Sequence, residues 1–436
     1  MRHFGARGDG KVKDTKALQA AIDACSEAGG GTVLLPAGNT FLTGTLYLRD
    51  RVNLHLENGA ILLGSPDIKD YAKDTHKNMY KNEPHMDPCL IFAREAKSIS
   101  ITGRGSIDGN GYKKYFTNET GRPMLIRFID CQDITMRDIK LLNPAAWVSA
   151  WLYCDQIVVD GISIHSRVNG NGDGLDFDGC TNVRVSSSSF DTSDDSICLQ
   201  ASRKDKPCKN VVITNCTFTS KWAGMRIGLL SRGDFESVSV SNCTFYDIQD
   251  SGLKIQLNEG GSMKNMVFSN LVMKNVPRPI FMTFCQQKAC VDAPAEMYPM
   301  KDMSDFIFRG IIADNRELDE NSAIFITGMP QYYIRDITLS DIHLIFAGGG
   351  SPEDVAPGGI KEYTLETLGD WWPEFYLVGT LPAHGIYARH VDGLVLNNVR
   401  IRTLEKDTRP PVVLEDVKNK VLIEGRSCNG TVTKAL

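Results

Sequence analysis

Long apolar runs are missing from these 436 residues. Nothing approaches the ~18 consecutive apolar residues that cross a bilayer as a helix, so no membrane partner is expected. Charge of one sign is missing too. Lys and Arg number 48 against 53 Asp and Glu, and a net of −5 leaves no basic stripe of the kind nucleic acid requires. Twelve cysteines are present, yet none falls in a CxxC pair or at zinc-ligand spacing. A leader of positive, apolar and small-residue regions is not seen either. Met1 runs almost directly into Phe4-Gly5-Ala6-Arg7-Gly8-Asp9-Gly10, which fits an intracellular chain or a processed one with a restored start methionine.

What is there is a repeat. The stretches ITMRDIKLLN, IVVDGISIHS, VRVSSSSFDT, VVITNCTFTS, VSVSNCTFYD and MVFSNLVMKN begin at Ile134, Ile157, Val183, Val211, Val238 and Met266. Looser copies begin at Ile99, Phe306, Ile337 and Leu394. Each unit alternates apolar residues, breaks at a polar pair such as Ser-Asn or Asp-Gly, and alternates again, which is two short strands around a sharp corner. No helix fits between units, which disfavours βαβ architecture. A repeat of 20 to 30 residues made only of short strands predicts an all-β solenoid, a parallel β-helix whose coils stack about 4.8 Å apart. The expectation is one domain over residues 1–436, of about ten coils.

A solenoid exposes its core at its ends and needs a cap. The segment 14–28 supplies an N-terminal capping helix, with Asp14 placed to N-cap, apolar positions at Leu18, Ile22 and Cys25, and Gly29-Gly30-Gly31 to end it. Cys216 and Cys243 share the repeat position of Ile139, Ile162, Ser188 and Leu271, so they read as core residues and not as disulfides or ligands. Residues 71–88, 285–304 and 347–380 break the period and read as loop insertions, often the binding face of a repeat protein. Trp371 and Trp372 lie in the last, as a platform for a sugar ring or as loop packing.

The second strands of four successive coils place Leu175, Ile197, Met225 and Leu253 inward. Two positions earlier stand Asp173, Asp195, Ala223 and Ser251; one position later stand Asp176, Cys198, Arg226 and Lys254. A one-coil step thus stacks Asp173 on Asp195, with Asp194 beside them. Carboxylates that close cannot all ionise, so one should stay protonated near neutral pH. A protonated acid beside ionised bases is apparatus for cleaving a glycosidic bond. The competing readings are an oxygen-rich Ca²⁺ site and structural Asx turns, the latter suiting Asp178 and Asp191.

At these residues the chain resembles the polygalacturonase family, glycoside hydrolase family 28. The resemblance runs through FGARGDG, DTKALQAAIDA, GGGTVLLPAG, NGDGLDFDGCTNV and DTSDDSICL, over most of the chain. It implies a right-handed β-helix that hydrolyses pectic polysaccharides with inversion, uses no cofactor or metal, and works in a secreted or periplasmic setting. It implies Asp194 as general acid, Asp173 and Asp195 as activators of water, and Asn171 as a substrate-positioning group. The partner it implies is an acidic carbohydrate; oligomeric state is not addressed.

The chain departs from the family at two motifs. Gly-His-Gly falls on Trp222-Ala223-Gly224, and Arg-Ile-Lys on Gly252-Leu253-Lys254, so the histidine and arginine are lost and the lysine kept. Arg226 and Lys254, stacked in one ladder, are expected either to clamp an acidic sugar or to neutralise Asp176. Trp222, and more weakly His165 and Arg167, are further candidates for substrate contact. The stretch WWPEFYLVGTLPAHGIYARHV resembles a segment of bacterial members and carries His384 and His390, each more often structural than functional in such a setting. Long insertions favour exo-attack on chain ends. The lost groups keep a rhamnose-type or side-chain linkage open, and a Ca²⁺-dependent lyase and a non-catalytic carbohydrate-binding β-helix are the remaining rivals.

Overall fold

The computed structural model describes residues 2–427, apart from 82, 295, 297, 319–321 and 356. The chain divides into two compact units, Met1–Leu199 with Cys208–Val212, and Gln200–Pro207 with Ile213–Leu436.

The first unit is wound from three parallel sheets. Strands Cys89–Arg94, Met124–Ile129, Ser149–Leu152 and Leu175–Asp178 stack in one. Gly31–Leu35, Val52–Leu56, Lys97–Thr102, Gln132–Arg137, Asp155–Asp160 and Thr181–Ser186 form the second. Thr40–Thr43, Ile61–Gly64, Ser106–Asp108, Lys140–Leu142, Ser163–Ser166 and Ser189–Thr192 form the third. The repeat alignment is the register: Ile134 pairs with Ile99 and Ile157, and Ile157 with Val183.

The second unit has the same parallel pattern, with longer strands. Val238 pairs with Met266, Met266 with Phe306, Phe306 with Ile337 and Ile337 with Leu394. A further sheet carries Ala223–Ser231, Ser251–Leu257, Arg278–Phe284 and Ile324–Thr327.

The corner of each repeat has one backbone solution. Asp138, Gly161, Ser187, Asn215, Asn242, Asn270, Gly310, Asp341 and Asn398 all sit at positive φ, between 50° and 67°. Gly, Asn and Asp reach that region at least cost, and Asn and Asp bond locally there, which explains the polar pair in every unit. Inside, like stacks on like: Phe268 lies 5.0 Å from Phe308 and Phe325 5.6 Å from Tyr387, ring on ring. Each such pair contributes about 0.5–1.5 kcal/mol beyond burial.

The cap helix spans Thr15–Glu27 and buries Leu18, Ala21 and Ile22. Asp14 does not cap it through its side chain; its carboxylate accepts from the backbone N–H groups of Arg7 (2.7 Å) and Gly8 (2.9 Å), tying down the segment before the helix. The described cysteines are free, and all but Cys25 are buried. Cys243 faces Leu271 in the sheet, as the repeat position requires. Among the described residues no helix is long and apolar enough to cross a membrane.

Candidate active site

The acidic cluster lies in the first unit, on the corners that lead into Leu175–Asp178 and the strand beginning at Ile197. Val148 N donates to Asp173 O (2.8 Å), Gly174 N to Asp195 O (2.9 Å) and Leu175 N to Ser196 O (3.0 Å), so Asp173 and Asp195 occupy equivalent places on stacked coils. The approach is tight: a Cβ at Gly174 would meet Ser196 O at 2.2 Å, which is why glycine separates the two acids of this turn.

One carboxylate oxygen each of Asp173 and Asp195 and the sulfur of Cys198 all fall within 4.8 Å of one another. The Cys198 thiol is 3.8 Å from both Asp173 Oδ2 and Asp195 Oδ2 and also bonds Asp176. Asp173 is only 6% exposed, and Asp176 and Asp195 are buried; Asp194 is half-buried, its Oδ1 accepting from Asp195 N (3.0 Å). Asp194 is therefore the open member of the group. Burial pushes the Asp173 carboxyl well up, and the charges of Asp194, Asp176, Asp195 and Glu83 push it further. Burial also raises Asp176; the Cys198 thiol opposes this, and Asp195, Asp194 and Glu83 add to it. Crowding and burial thus act in the same direction on Asp173 and Asp176. Two carboxylates and a thiol suit a soft or borderline ion better than the all-oxygen shell Ca²⁺ takes.

A polar rim was not legible in the repeat. Asn171, at positive φ, donates from Nδ2 to Glu83 Oε1 (3.1 Å). Arg122 donates to Asn171 Oδ1 (2.7 Å) and Gly170 O (2.8 Å), and meets His85 Nε2 at 2.7 Å. Burial and the Arg122 charge lower the His85 pKa, so the ring accepts as neutral imidazole. The charge of Arg122 also acts on Glu83, Asp173 and Asp194. Glu83 and His85 come from the first insertion; the only signal for them was the broken period. Asp176 and Cys198 did carry a signal, their shared ladder beside the acids.

The His165 side chain is half exposed and its Nδ1 is 2.7 Å from Asp191 Oδ2, an acid that Arg167 also holds. Asp191 is thus an ion-pair partner of both side chains.

In the second unit, Arg226 and Lys254 are neighbours in register, as the ladder required. An acid that lies off the repeat pairs with both. Glu374, from the last insertion, bonds Arg226 Nη2 at 2.6 Å and also pairs with Lys254, which lies 2.7 Å from Asp250 Oδ2. Lys254 is fully buried and Glu374 is 1% exposed. Burial raises the Glu374 carboxyl, and the two cations pull it back. Trp222 lies under Lys254, 4.7 Å from Nζ to the ring centre. His384 bonds Arg409 O (2.8 Å), and His390 bonds Asp416 and Glu362 (2.7 and 2.9 Å), so both are structural.

Stacked parallel coils that carry a crowded group of acids define a class, the β-helical proteins equipped for glycosidic chemistry. The chain belongs to the glycosyl hydrolases family 28, which matches residues 38–355. It is 28% identical over 392 residues to an exo-poly-alpha-D-galacturonosidase of Dickeya chrysanthemi, covering 75% of this chain and 64% of that one. It is 26% identical to a probable polygalacturonase of Vitis vinifera, over 88% and 83% of the two chains. The family 28 exopolygalacturonase of Yersinia enterocolitica has the same fold, a right-handed parallel β-helix, with TM-score 0.75, 23% identity, and 96% and 77% of the chains covered.

Proposed function

We propose that this protein hydrolyses glycosidic bonds in an acidic pectic poly- or oligosaccharide, by inversion, from chain ends. The observation that carries the reading is the Asp173–Asp176–Asp194–Asp195 group, buried enough to hold a proton and still open at Asp194. Asp194 protonates the leaving oxygen, and Asp173 and Asp195 activate water. The proton that burial keeps on the Asp173 side belongs to the group, whose titration is shared. Arg122 and Asn171 fix the turn that bears Asp173. Attack at chain ends is supported by Glu83 bonding Asn171, which sets the first insertion against the edge of the site, and by the exo-acting relatives. A setting outside the cytoplasm follows from the substrate. The test is Asp194→Asn: turnover of galacturonate oligosaccharides should fall by about 10²- to 10⁴-fold with binding largely kept. Full turnover in that variant would refute the assignment.

A further inference from the structure

The carboxylate chemistry leaves one feature of the second unit unused. Trp371 is 64% exposed, Tyr376 52% and Leu377 38%, a patch of large apolar side chains in one insertion. Trp371 and Trp222 each lie 6.4 Å from Tyr376, ring centre to ring centre.

The segment that bears these rings is held along its length. Gln287 Nε2 donates to the Gly369 (3.2 Å) and Trp371 carbonyls, Gln256 Nε2 to Pro373 O (2.7 Å), and Tyr363 Oη to Glu374 O (2.8 Å). The Glu374 side chain is driven into Arg226 and Lys254, and the Arg278 guanidinium lies over Phe375 at 3.3 Å. An exposed indole on a pre-ordered segment loses little entropy when it binds. The two cations beneath the segment, Arg226 and Lys254, are answered by Glu374 and Asp250.

We propose that the Trp371 indole, with Tyr376 set edge-on against it, forms a stacking subsite for a pyranose ring, one that takes the apolar face of the sugar and does not read its charge. The C–H face of a pyranose presents weakly positive hydrogens to the negative face of an aromatic ring, and needs no ionic partner. That the ligand is a carbohydrate rests on the hydrolase reading above; the charge-indifference rests on the ion pairs around Glu374.

The test uses the full chain carrying Asp194→Asn, so that ligand is not consumed. Binding of a galacturonate trisaccharide and of its carboxyl-reduced counterpart is measured by calorimetry at low and high salt, with and without Trp371→Ala or Tyr376→Ala. Each substitution should weaken both ligands about tenfold, the scale of one aromatic contact, and by the same factor at both salt concentrations. Unchanged affinity, a loss confined to the charged trisaccharide, or no measurable binding of either would overturn the subsite. Cleavage by the unsubstituted chain, assayed alongside, separates the two readings: an active enzyme with unchanged Trp371→Ala binding sinks the subsite alone. Because Trp371 is mostly exposed, its replacement does not threaten the fold.

Discussion

Asp176 carries a consequence that can be read without substrate. Its folded-state pKa is raised, chiefly by burial. Above about pH 4 the unfolded chain releases this proton while the folded chain keeps it. The folded state then binds more protons than the unfolded one, so its stability falls as pH rises through that window. Asp176→Asn removes the titration and keeps the shape. Its melting temperature should match the parent near pH 4 and exceed it at pH 7 by roughly 1–2 °C, for about 1 kcal/mol in a chain of this size. Parallel melting curves across that range would show that Asp176 is ionised in the fold. Nearby, Arg122 shows how a residue far from any motif joins a site: a guanidinium bridging Gly170, Asn171 and His85 is invisible until the loops close.

Insertions behave differently from coils at the scale of elements. Glu374 meets Arg226 across 148 residues. Removing it takes one carboxylate from two buried cations and leaves Asp250 to Lys254, whereas loss of an exposed pair would matter little. Glu374→Ala should cost about 3–5 kcal/mol, several degrees in a thermal melt, and a change within error would mean that water reaches the cations. The same contrast explains what the sequence could tell. Register was legible because period and pairing are one quantity: Met266 opposite Val238 is a statement about spacing. The Asp173–Asp195 stack followed from it. Glu83, His85, Arg122 and Glu374 lie off the period, and their partners depend on loop closure, which no local pattern encodes. His165 has its ladder neighbour Asp191 as partner, a pairing that the register alone brings about.

Within each unit of the molecule, a coiled ribbon turns sequence distance into spatial adjacency, and chemistry is placed by choosing residues one turn apart. The acids at 173, 176, 194 and 195 use that device in the first unit, where the first insertion supplies Glu83 and His85 at the rim. The hydrolysis proposed for this cluster is a single displacement by water. The most direct measurement follows the first products released from a galacturonate oligosaccharide by proton NMR. The prediction is a saturated reducing sugar whose initial anomer is opposite to that of the bond cleaved, later equilibrating. Release with the original anomeric configuration, or of a 4,5-unsaturated sugar, would contradict it.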